Sequence, residues 1–200
     1  MLKINCLGAS NTQIIKSAEN EKVYEVNYPV ILGLLLRCTV RNYGKCGANI
    51  AADDVRHDSY VERMTSMVPD TDVFVLQGAG NDFGHDIPLG TPGERNERTY
   101  CGAIAVIVDY VRKTSPGARI IAVSGMRRHH YDRPRADGLT RDAMHEAFMG
   151  TCRLLGIEPH DFTADPLLDP YNPEMMPDGV HMSEKGCRHY AEVIASLITG

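Results

Sequence analysis

Apolar residues along this chain fall into two kinds of run. Short runs read as strands: Leu2 to Leu7, the β-prone Cys38 to Tyr43, Asp72 to Gln77, Arg119 to Ser124 and a fifth at Glu158 to Phe162, of which Asp72 to Gln77 is nearly continuous in apolar residues and of the type buried on both faces. Longer stretches carry helical spacing: Tyr28 to Arg37 with Pro29 in its first turn, Asp53 to Met67, Thr99 to Lys113, Thr140 to Leu155 and Ser183 to Ile198. In the second of these, Val55, Tyr60, Val61, Met64 and Val68 would share one face. Ser183 is placed to cap the last helix, with Glu184 set well against its dipole. Asn20 to Asn27 read as a loop or a ragged helix end, and the Gly/Pro-rich Phe83 to Asn96 and the proline-rich Ala164 to Pro177 as loops.

Strand and helix alternate five times over. That order predicts an α/β fold, a three-layer α/β/α sandwich around a five-stranded, mostly parallel sheet. Neither a repeat nor a linker interrupts it, so residues 1–200 are expected to form a single domain. Ligands of such sheets collect at the carboxyl ends of the strands.

Composition narrows the function classes. The chain has 200 residues, 43% hydrophobic and 24% charged, with a net charge of −5. So mild an acidic charge argues against a general nucleic-acid binder, which would carry a basic face. Its longest apolar run, Val30 to Leu36, is interrupted by Gly33 and is too short to cross a bilayer, so no membrane partner is expected. Met1 leads directly into a strand without an export signal, which predicts a cytoplasmic protein. The six cysteines, Cys6, Cys38, Cys46, Cys101, Cys152 and Cys187, show no metal-ligand spacing and read as reduced thiols, Cys46 as a small buried side chain. Nothing in the sequence sets an oligomeric state.

Three strand ends carry candidate chemistry. The first strand stops at Gly8, and Ala9 and Ser10 follow, with Asn11 and Thr12 suited to capping a helix. A serine at such a turn exposes its hydroxyl beside free backbone N–H groups, as a nucleophile requires. Asp178 and His181, three residues apart near the C-terminus, could orient an imidazole as the general base. The N–H of Ser10, the N–H of Gly44 and the carboxamide of Asn81 could hold an oxyanion. Gly78-x-Gly80 is a poor dinucleotide fingerprint, because Phe83 occupies the third glycine position. His129, His130 and Asp132 lack metal-ligand spacing, so no metal or other cofactor is called for. The basic segment Arg127 to Arg135 reads as a rim or lid whose charge could draw in anionic substrates, and His85 and Arg95 as pocket residues.

Together these blocks resemble the SGNH hydrolases, the GDSL-type esterases and lipases. Gly8-Ala9-Ser10-Asn11-Thr12 is similar to the family's first block, Asn42-Tyr43-Gly44-Lys45-Cys46-Gly47 to its second, Ala79-Gly80-Asn81-Asp82 to its third, and Asp178-Gly179-Val180-His181 to its last. Three positions depart from the family pattern: Ala9 stands for Asp, Ala79 for Gly, and Met182 where Pro often follows the histidine. The resemblance implies flavodoxin-like topology and a serine esterase acting on a small-molecule carboxylic ester, through a triad of Ser10, Asp178 and His181 and an oxyanion hole of Ser10, Gly44 and Asn81. The absence of tryptophan and of a long apolar lid favours a short-acyl or acetylated-carbohydrate substrate. The alternative is a catalytically weak or inactive domain of this fold that binds a glycan or acyl ligand.

Overall fold

A computed structural model describes residues 1–13, 27–78 and 80–200. Four parallel strands, β1 (Lys3–Gly8), β2 (Thr39–Gly44), β3 (Val73–Gln77) and β4 (Arg119–Val123), form one sheet in the order β2-β1-β3-β4. Gly8 pairs with Gly44 and Leu7 with Leu76, so the carboxyl ends of the first three strands finish level. The order reverses at β1, which opens a crevice between β1 and β3 where loops diverge to opposite faces.

Side-chain alternation along the strands builds two cores. Ile4, Cys6, Val73, Val75, Ile121 and Val123 face the helices α1 (Tyr28–Leu36) and α6 (Glu184–Thr199). Leu7, Phe74, Leu76 and Ala122 face α2 (Tyr60–Met64), α4 (Tyr100–Thr114) and α5 (Arg141–Leu154). The period of two explains the run in β3, which is buried at every position and so apolar from Val73 to Leu76, whereas the edge strand β2 is only partly buried and mixes polar with apolar residues. Among the described residues, no helix is long and apolar enough to cross a membrane.

The structure corrects several expectations. Glu158 to Phe162 is not a fifth strand. It makes a single parallel bridge, with His160 N–H donating to Ala122 O and Ser124 N–H to His160 O, both at 2.9 Å. Asp161 then draws the chain away, its Oδ1 accepting the Thr163 N–H at 2.8 Å to start a 3-10 turn. Only Tyr60–Met64 of the second expected helix is helical. Asp53 Oδ1 takes the N–H groups of Val55 and Arg56, both at 2.7 Å, and holds that part in a turn. Ser59 and Glu62 then begin the helix with a reciprocal capping box. The loop expected from Phe83 overlaps a short helix, α3 (Asn81–Gly84). Residues 20–26 of the expected first loop lie outside the described residues, and Asn27 caps α1. The cysteines are free thiols, with Cys6, Cys101, Cys152 and Cys187 buried, but Cys46 is exposed.

Gly8 is required by packing. A Cβ there would lie 2.6 Å from Thr12 Cβ and 2.8 Å from Gln77 Oε1. Thr12 is buried and its Oγ1 donates to Gln77 Oε1 at 2.7 Å, so neither neighbour is free to retreat. Gly8→Ala is therefore expected to destabilise the fold by about 1–3 kcal/mol, read from the urea unfolding midpoint. An unchanged midpoint would show that the turn after β1 is not tightly packed.

Candidate active site

The turn after β1 is closed by two hydrogen bonds onto one carbonyl. Thr12 N–H and Gln13 N–H donate to Ala9 O at 3.1 and 3.0 Å. Ser10 stands at the crest of this turn, half-buried, and its N–H has no hydrogen-bond partner among the described residues. Any helix that Asn11 or Thr12 would cap lies outside the described residues. Thr12 reaches Gln77, and its carbonyl accepts from Asn27 Nδ2 at 3.0 Å and Asn42 Nδ2 at 2.7 Å.

The loop before α6 brings Asp178 and His181 to the Ser10 turn. Asp178 Oδ1 accepts the N–H groups of Val180 and His181 at 2.8 and 2.6 Å, folding the loop over its own carboxylate. Its Oδ2 lies 2.6 Å from His181 Nδ1. An ionised carboxylate can only accept, so Nδ1 carries the proton and Nε2 presents a lone pair. That Nε2 lies 3.1 Å from Ser10 Oγ. Burial pushes the Asp178 carboxyl up, but the His181 ring and the two amides outweigh it and hold the group below its usual range. Asp178 is thus anionic at neutral pH and complements a charged imidazole.

Asn11 joins the two loops. Its Nδ2 donates to Val180 O at 3.1 Å, and its Oδ1 accepts the Met182 N–H at 3.0 Å, one bond on each side of His181. The clamp needs an N–H at position 182, which proline would lack. The sequence contains every part of this clamp, but no local spacing couples residue 11 to residues 180 and 182.

Asn81 begins α3 directly beyond β3. One N–H of its carboxamide donates to Ala48 O at 2.9 Å, leaving the second for a ligand. Next to it, the fully buried Asp82 accepts the N–H groups of Ile50 and Ala51 at about 3.0 Å and ties that loop to α3. Burial pushes its carboxyl up to about 7, against the pull of these amides.

Gly44 departs from its expected place. Its N–H donates to Asn42 Oδ1 at 2.8 Å, and a Cβ would lie 2.5 Å from the Thr12 carbonyl carbon. It is a close-packing position behind the Ser10 turn and does not line the pocket in front of Ser10. Gly47, at φ +74°, has an N–H without a partner among the described residues and precedes the Ala48 carbonyl that holds Asn81. His85 and Arg95 are also elsewhere: His85 meets Asn49 Oδ1 at 2.7 Å and Arg95 pairs with Asp109 at 2.9 Å.

A cavity of about 70 Å³ lies in front of Ser10, with Asn81, Arg128, Tyr131 and Arg141 in its wall. The basic segment is therefore partly wall as well as rim. Arg127 lies over the Tyr131 ring, while Arg128 turns inward. Among the described residues, no cluster of His, Cys, Asp or Glu is arranged to hold a metal ion.

The sequence matches the model of the GDSL-like lipase/acylhydrolase family over residues 6–189. The chain belongs to that family. It is a carboxylic ester hydrolase by membership, and the family typically carries a serine triad and an oxyanion hole. A search of curated proteins by sequence gave no match. Solved structures share its fold at low identity. A possible lipase from Chitinophaga pinensis superposes with a TM-score of 0.82 at 18% identity, covering 99% of this chain and 98% of the other. An inhibitor-bound aryl esterase from M. smegmatis gives 0.71 at 15%, with coverage of 99% and 98%. A carbohydrate acetylesterase family member from Sinorhizobium meliloti gives 0.68 at 19%, with coverage of 99% and 97%. Against the family pattern, Ala9 packs into the apolar core and Ala79 lies outside the described residues, while Met182 supplies the clamp N–H.

If Asn11 positions the base, Asn11→Ala lowers kcat for 4-nitrophenyl acetate about tenfold or more, with KM changing much less. Asn11→Asp, which keeps the acceptor for Met182, falls between. Equal kcat for all three proteins would show that the clamp has no part in alignment.

Proposed function

We propose that this esterase cleaves a short-acyl ester, with acetyl esters of small alcohols or sugars favoured, through a covalent acyl-enzyme. The observation that carries the reading is the continuous line from Asp178 Oδ2 through the His181 ring to Ser10 Oγ, at 2.6 and 3.1 Å. Ser10 Oγ attacks the ester carbonyl as His181 Nε2 takes its proton, and the imidazolium returns that proton to the departing alcohol. Water then repeats the sequence on the acyl-enzyme and releases the acid. Asp178 fixes the tautomer of His181 and stabilises its cationic form.

In this reading the negative oxygen is held by Ser10 N–H and the second N–H of Asn81 Nδ2. Gly44 N–H is committed to Asn42 and is left out of this oxyanion hole. The small cavity supports a short acyl group. The fold shared with a carbohydrate acetylesterase family member and an aryl esterase is in keeping with either kind of alcohol.

Ser10→Ala is expected to abolish hydrolysis of 4-nitrophenyl acetate while leaving the unfolding midpoint in place. Asn81→Ala should reduce kcat about a hundredfold, with a far smaller change in KM. Turnover that survives Ser10→Ala would refute the mechanism, and a folded wild-type protein that binds the ester without turning it over would favour a domain that only binds a glycan or acyl ligand.

A further inference from the structure

Two guanidiniums stand beside the nucleophile without a carboxylate of their own. A Cβ built on Gly80, the residue before Asn81, would lie 2.8 Å from Arg128 Nη2 and 3.4 Å from Arg141 Nη1, so both cations converge on that backbone. Among the described residues, neither forms an ion pair, and Arg141 Nε is buried with no hydrogen-bond partner. Arg135, from the same basic segment, shows the ordinary alternative: it pairs with Asp137 at 2.5 Å and with Asp86 at 3.4 Å. Asp178 is the carboxylate that acts on Arg128, but its oxygens are taken by His181 and two amides.

Keeping two such charges together and partly out of water is unfavourable unless something offsets it. Arg141 gains from the Phe83 ring, 4.0 Å below its guanidinium, but a ring face is not a counter-ion. Burial, and then the neighbouring Arg128, push Arg141 down to about 10, so both stay cationic at neutral pH. Arginine forks suit the planar pair of oxygens of a carboxylate, or those of a phosphate.

The position sets which part of an ester they would meet. Arg128, Tyr131 and Thr163 line the small cavity at Ser10 and also an adjoining cavity of about 550 Å³. The small one has room for a short acyl group, so the alcohol part runs past Arg128 towards the larger one. There Arg127 and Arg133 stand with Asp132 and Asp169, and Asp165 is engaged by His189 at 2.6 Å, so the uncompensated charge is that of Arg128 and Arg141 at the junction with the small cavity.

Building on the hydrolase reading above, we propose that Arg128 and Arg141 form an anion subsite, and that the ester this enzyme turns over carries a carboxylate or phosphate on its alcohol part. Three acetyl esters test it: 4-acetoxybenzoate, 4-acetoxyphenyl phosphate and the neutral methyl 4-acetoxybenzoate. The anionic esters should exceed the neutral one in kcat/KM by about tenfold or more, as expected for a charged hydrogen-bonding pair. Which anion leads distinguishes carboxylate from phosphate. The preference should shrink as salt rises from about 0.05 to about 0.5 M. Arg128→Gln and Arg141→Gln should each cut the anionic-to-neutral ratio about tenfold, and the Lys variants should retain part of it. A ratio cancels any loss common to all the esters. Calorimetric binding of the same esters to Ser10→Ala reads the subsite without turnover. Selective binding by that variant, with no hydrolysis by the wild type, would sink the hydrolase reading and leave the subsite standing. Hydrolysis of all three esters alike, or a preference that survives both Gln substitutions, would overturn the subsite.

Discussion

The carboxamide of Asn11 is the link on which the site depends. It bonds backbone on both sides of His181 and so ties the first loop of the chain to the last. Each bond is ordinary, worth about 1 kcal/mol. Their importance is geometric, because a base misplaced by about 1 Å can lose a hundredfold in rate. The imidazole is thereby fixed from two directions: Asp178 sets its tautomer, and Asn11 sets where the loop that carries it lies. Met182 makes this possible, since proline at that position would remove the second bond.

The sheet supplies the rest of the precision. Level strand ends put Ser10 and Asn81 on either side of the crevice beside β1, where loops to opposite faces leave space for a ligand. Tight packing at Gly8 and Gly44 holds the Ser10 turn from beneath, with Thr12 buried between Gln77, Asn27 and Asn42. Asp82 fixes the neighbouring loop and, through it, the carbonyl that orients Asn81. Ser10 and Asn81 thus rest on buried polar bonds more than on apolar contact.

The fold was legible wherever the pattern was set by burial on both faces. Runs such as Val73–Gln77 had one reading because every position is buried. Legibility failed where a short side chain redirected the backbone. Asp53 and Asp161 each capture nearby N–H groups, which shortened the second helix and ended the fifth segment after one bridge. Ser10, Asp178, His181 and Asn81 could be singled out because their chemistry is local to a motif. The Asn11 clamp, the engagement of Gly44 by Asn42 and the convergence of Arg128 with Arg141 could not, since each depends on residues brought together only by folding or on one side-chain rotamer.

The most direct test of the central claim is reaction with a fluorophosphonate, with the adduct mapped by mass spectrometry. If His181, held by Asp178, activates the Ser10 hydroxyl, a single adduct forms on Ser10, and His181→Ala slows its formation by about a thousandfold or more. A folded protein whose Ser10 stays unlabelled, or is labelled equally fast without the imidazole, would contradict the account.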